Sequence, residues 1–111
     1  QAQAACAAWF ARWPHGQPEQ PPAGVDASAT AIAAVAMFRL AACAPELACW
    51  RTRARAQLAA IVRPAHFRGG RFYGACSLTR PGQLARVQAP WASYFLAAAL
   101  CRAAELAICP E

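Results

Sequence analysis

Few side chains in this sequence could do chemistry. There are two histidines, His15 and His66, five acids of which Asp26 is the one aspartate, and six cysteines. A nucleophilic hydrolase needs a serine or cysteine, a histidine base and a group that orients the base. No HExxH, GxSxG or His-Asp dyad is present, so those templates have nothing to build on. His15 lies in a proline-rich stretch where a solvated side chain is expected, and Asp26 reads as a helix N-cap. The expectation is a protein that is not an enzyme and has no cofactor.

The cysteines point to structure rather than catalysis. Cys6, Cys43, Cys49, Cys76, Cys101 and Cys109 run from one end of the chain to the other, with none in a CxxC or CxxxC pair. Cys43 and Cys49 are six residues apart and Cys101 and Cys109 eight, wider than typical zinc pairs. An even, dispersed set suits three disulfides closing long loops, which persist in an oxidising compartment. The chain opens Gln1-Ala2-Gln3-Ala4, which reads as a mature product after removal of a leader. Secretion or a periplasmic location is therefore expected.

All eleven basic residues are arginine, and the net charge is +6. That balance favours acidic partners: an acidic protein face, anionic lipid or another polyanion. Export makes intracellular nucleic acid the least favoured. Lysine and asparagine are both absent, as a GC-rich genome would produce, and without asparagine there is no N-glycosylation site. Those features together fit a bacterial envelope protein.

The arginines concentrate in the middle of the sequence, at Arg51, Arg53, Arg55, Arg63, Arg68 and Arg71. Arg51 and Arg55 are four apart and share a helix face, with Glu46 the nearest acid in sequence. Arg68-Gly69-Gly70-Arg71 is flanked by Phe67, Phe72 and Tyr73. Arg51, Arg55, Arg68, Arg71, Phe72 and Tyr73 form the candidate partner-binding set, because guanidinium groups pair bidentately with carboxylate or phosphate.

The elements that must position these residues read as one all-α domain, residues 1–111, with about four helices stapled by disulfides. Residues 2–13 place Cys6, Trp9, Phe10 and Trp13 at helical spacing, and the prolines and glycines of 14–24 make a surface loop. The second helix runs from Asp26 to about Ala44. It is apolar nearly all round, which predicts the centre of the bundle. Pro45 and Glu46 open a third helix whose stripe is Leu47, Trp50, Ala54, Leu58 and Ile61. Residues 64–89 are compatible with a hairpin turning at Gly69-Gly70. An irregular loop leading to a short helix at Gln83 to Gln88 is the favoured alternative, since isolated strand pairs are marginal. Pro90 opens the last helix, to about Cys109, with Arg102 and Glu105 paired on its polar stripe. On such a helix Cys101 and Cys109 lie too far apart to bridge each other. No stretch reaches the roughly 20 apolar residues of a membrane span.

Phe72 to Cys76, Leu78, Gly82-Gln83-Leu84, Val87, Ala97-Ala98-Ala99-Leu100 and Ala107-Ile108-Cys109 resemble the end of small periplasmic immunity proteins. These are the Rap and Tai type, which neutralise cell-wall amidase effectors of type VI secretion. The resemblance covers about the C-terminal third, without that family's glycine-tyrosine helix motif. It implies an exported helical protein, often dimeric, that plugs a partner's active site.

Apolar residues make up 59% of the chain, including four tryptophans. That excess calls for a partner groove, a homodimer interface or a ligand cavity. The expected function is non-enzymatic protein binding of inhibitor or immunity type, against a partner with an acidic face. Two rivals are a carrier of lipid or another apolar ligand, in a cavity lined by Phe38, Leu58, Phe95 and Leu100, and a cationic membrane-active protein.

Overall fold

The computed structural model describes residues 1–17, 27–80 and 83–105, with backbone alone over 76–80 and 83–86. The chain is mostly helical, with four α-helices: α1 (Ala2–Arg12), α2 (Ala27–Cys43), α3 (Cys49–Ile61) and α4 (Pro90–Ala103). Single 3₁₀ turns precede and follow α3, at Pro45–Leu47 and Pro64–His66. Among the described residues no helix is long and apolar enough to cross a membrane.

Helix α2 is the central element, touched by each of the other three helices. Its alanines let those neighbours approach closely: Ala27, Ala31 and Ala34 are fully buried, together with Met37 and Phe38. An all-apolar helix buried on most faces is what its composition predicts. One stripe nevertheless reaches solvent, where Ile32 is 43% exposed. Asp26, the expected cap, lies outside the described residues.

Helix α3 buries Trp50, Ala54, Leu58 and Ile61 as its spacing requires, with Leu47 of the preceding turn half-buried against the same core. Gln57 sits on that stripe and is also fully buried. Its Nε2 donates to the Trp13 carbonyl at 2.7 Å, and its Oε1 accepts the Trp9 indole N–H at 2.8 Å. The chain leaving α1 turns at Gly16, at φ 81, where a Cβ would stand 2.8 Å from Ala60 Cβ. Glycine is required there both for the backbone and for the close approach.

Residues 67–87 differ from the favoured expectation. Two antiparallel hairpins form, β1 (Phe67–Arg68) with β2 (Arg71–Phe72) and β3 (Ala75–Arg80) with β4 (Gln83–Val87). The segment expected as a short helix is thus a strand. Tertiary contacts supply what an isolated strand pair lacks. Gly74 accepts a hydrogen bond from Ser28 N at 3.0 Å, tying β3 to the first turn of α2. Ala75, buried, pairs in register with half-buried Val87.

Helix α4 also ends earlier than expected. It stops at Ala103, and Glu105 takes φ 60, outside the helical range. Cys109, and with it the separation expected from Cys101, lies outside the described residues. The carboxylate of Glu105 reaches across to Arg51, at 3.1 Å. No disulfide joins Cys6, Cys43, Cys49 or Cys101; Cys6 is a buried thiol, and Cys43 and Cys49 are exposed thiols. The side chain of Cys76 is not among those described. Among the described residues the core is built by helix packing around α2.

Candidate interaction site

The six candidate partner-binding residues fall into two groups. Arg51 and Arg55 lie on α3, and both turn to the C-terminus of α4. Arg55 Nη2 donates to the Ala103 carbonyl at 2.8 Å, and Arg51 Nη1 to the Arg102 carbonyl at 3.4 Å. Terminal carbonyls of a helix have no intrahelical donor and carry partial negative charge, so cations are favoured there. Between them, Arg53 lies over the rings of Trp50 and Phe10, with centroids 4.5 and 5.2 Å away. The arginines of α3 therefore serve packing between helices. Glu46 is the nearest acid in sequence, whereas the groups that meet Arg51 and Arg55 are distant in sequence.

The second group forms the β1–β2 hairpin. Gly69 and Gly70 have φ 56 and 76, the doubly positive pattern of a type I′ turn, which matches strand twist and favours Gly-Gly. The register pairs Phe67 with Phe72 and Arg68 with Arg71. Phe72 is 4% exposed and its ring lies 5.3 Å from that of Phe67. Phe72 is thus an anchor in the core and not a surface for a partner, correcting its place in the candidate set. Pleating puts Arg68 and Arg71 on the tip as exposed neighbours. The Arg68 guanidinium lies over half-buried Tyr73, 5.2 Å from the ring centre.

The hairpin has a firm base. Tyr73 N donates to the His66 carbonyl at 2.7 Å. His66 is buried, and its Nδ1 lies 3.0 Å from the Ile61 carbonyl at the end of α3. A carbonyl only accepts, so Nδ1 carries the proton in that bond. His66 thus works as a strut between α3 and the hairpin, while His15 is exposed.

Two like charges directly opposite across a strand pair are unfavourable. Among the described residues no carboxylate pairs with Arg68 or Arg71, and exposed Arg63 adds a further charge at the start of the same segment. The tip is a local excess of positive charge on a braced support. It offers guanidinium donors and an aromatic face. Among the described residues no three His, Cys, Asp or Glu side chains gather as a metal site.

Of the four residues expected to line the cavity of an apolar carrier, Phe95 is half-buried against the core. Phe38 and Leu58 are buried in the core, and Leu100 is 45% exposed. Trp91 and Tyr94, on neighbouring turns of α4, are 57% and 42% exposed. No family model, characterised protein or solved structure matches this chain.

Proposed function

We propose that this protein is a non-enzymatic binding domain of inhibitor or immunity type, which docks the β1–β2 hairpin onto an acidic protein face. The observation that carries this reading is the cross-strand pair Arg68–Arg71, without a carboxylate partner among the described residues, on a hairpin anchored by Phe72 and His66. Carboxylates of a partner would relieve that repulsion and gain bidentate hydrogen bonds. Preorganisation of the tip lowers the ordering cost of association. Arg51 and Arg55 belong to the fold in this reading and leave the interface to Arg68, Arg71 and Tyr73. The resemblance of the C-terminal third supports an immunity role against a secreted amidase.

The test uses poly-glutamate as a model acidic surface, titrated calorimetrically at low and moderate salt. The wild-type chain is expected to bind at low salt, and Arg68→Glu/Arg71→Glu to lose about tenfold or more in affinity with unchanged melting. Equal binding by both proteins would refute the hairpin as the docking site. Failure of the chain to protect peptidoglycan from a type VI amidase would remove the immunity assignment while leaving the hairpin result standing.

A further inference from the structure

Helix α4 is apolar on both sides. Its inner face buries Ala92, Leu96 and Ala99 in the core. From Pro90 to Cys101 the sequence holds no charged residue and a single serine, so the outer face is apolar as well. Trp91, Tyr94 and Leu100 lie there, 57%, 42% and 45% exposed. A helix apolar all round is ordinarily buried on every side, and this one meets the rest of the fold on one side only.

The outward residues repeat at the spacing of a seam between two helices. Pro90, Tyr94, Ala97 and Cys101 follow at intervals of four, three and four residues, with Trp91 on one flank and Leu100 on the other. Pro90, Tyr94 and Ala97 are exposed and Cys101 is half-buried. The Tyr94 ring stands edge-on to Phe95, centroids 5.2 Å apart, which fixes it before any partner arrives. A two-fold axis crossing the seam between Tyr94 and Ala97 sets Tyr94 against Ala97 of a second copy, and Pro90 against its Cys101. Symmetry makes each contact twice. The ring meets a methyl group both times, and the small residue lets the two helices approach.

Charge and area agree with a second copy as the occupant. The net charge of +6 opposes self-association, but the seam carries no charge and sets no arginine against another. At about 200 Å² for a whole aromatic side chain, Trp91 and Tyr94 leave roughly 200 Å² in water. With Leu100 and the small residues between them the face offers on the order of 500 Å², so two copies would bury on the order of 1,000 Å², the lower bound of a specific interface. We propose that α4 is the interface of a symmetric, antiparallel homodimer of micromolar affinity, with Tyr94 packed on Ala97 of the second copy. The surface is separate from the β1–β2 hairpin and does not depend on the protein-binding reading.

Sedimentation velocity of the full chain across the micromolar range tests this. The wild type is expected to pass from monomer to dimer as concentration rises, and a monomer throughout would overturn the proposal. Tyr94→Asp and Ala97→Arg, both at exposed positions, should each weaken the dimer about tenfold or more, with unchanged helicity by circular dichroism. An equimolar mixture of the two variants should dimerise again. In the mixed pair the new carboxylate meets the new guanidinium, while the other Tyr94–Ala97 contact stays native. Either variant associating like the wild type would place the interface elsewhere and overturn the proposal. A mixture that stays monomeric would overturn the antiparallel pairing. Should a variant misfold, Tyr94→Ser decides: it must weaken the dimer about tenfold or more, and unchanged association refutes the interface.

Discussion

The indole N–H of Trp9 donates to the side-chain oxygen of Gln57 at 2.8 Å, fastening α1 to α3 through a fully buried amide. The same amide donates to the Trp13 carbonyl at 2.7 Å. Gln57 therefore satisfies a donor and an acceptor of α1 at once. Trp9 and Trp13 also meet edge to face, 4.7 Å apart, so one residue of α3 holds both tryptophans, beside the contact of Phe10 with Trp50 and Arg53.

Replacing Gln57 with leucine keeps the volume and removes both hydrogen bonds. Each part-buried group left unpaired costs about 1–3 kcal/mol, so Gln57→Leu should lose about 2–4 kcal/mol in denaturant melts. Hydrogen exchange in α1 should rise more than in α2. A loss below about 0.5 kcal/mol would show that α1 is held by apolar contact alone.

Glu105 offers the opposite expectation. Its φ of 60 is a left-handed conformation that suits glycine just past a helix end. A side chain there costs about 1 kcal/mol. Its ion pair with Arg51 joins side chains 36% and 65% exposed, and such pairs contribute about 0–1 kcal/mol. Glu105→Gly should leave stability unchanged or raise it by up to about 1 kcal/mol. A clear loss on thermal melting would mean the ion pair outweighs the backbone strain.

These two residues also mark the limit of the sequence. The stripe of α3 was legible because Trp50, Ala54, Leu58 and Ile61 repeat at helical spacing, and α2 because it is apolar nearly throughout. Gln57 was not, since a polar residue beside an apolar stripe reads as a solvated flank. The end of α4 was hidden because its turn falls on a glutamate, without the glycine that signals one. Helix-forming residues beyond it encouraged a longer reading. The hairpin tip was visible in Gly69-Gly70, while the β3–β4 pair is tied to α2 through Ser28, a contact that no local pattern encodes. Among the site residues, Arg68 and Arg71 were legible as a charged turn. The internal use of Arg51 and Arg55 depends on carbonyls of α4 roughly fifty positions away.

Phe72 separates anchoring from binding. Because its ring is buried against Phe67, Phe72→Ala should cost about 3–5 kcal/mol. Tyr73→Ala, removing a half-buried ring beneath Arg68, should cost less and weaken poly-glutamate binding in the folded protein. If Phe72→Ala left the melting temperature intact, the hairpin would not be rooted in the core.

Cys6 predicts an alkaline dependence. Burial raises its thiol pKa above the ordinary 9.0, because the thiolate is disfavoured in an apolar wall. In the unfolded chain the thiol ionises near its ordinary value, so above that pH the folded state binds more protons than the unfolded one. Stability must then fall as pH rises from about 9 through the folded pKa, at up to about 1.4 kcal/mol per pH unit. Below pH 8 the group contributes no pH dependence. Cys6→Ala removes the titration, so the wild-type and variant stability curves should run parallel at neutral pH and diverge in slope above about pH 9. Alkylation at neutral pH should also proceed more slowly at Cys6 than at exposed Cys43 and Cys49. Parallel curves at every pH, or Cys6 reacting as fast as Cys43, would place the thiol in water.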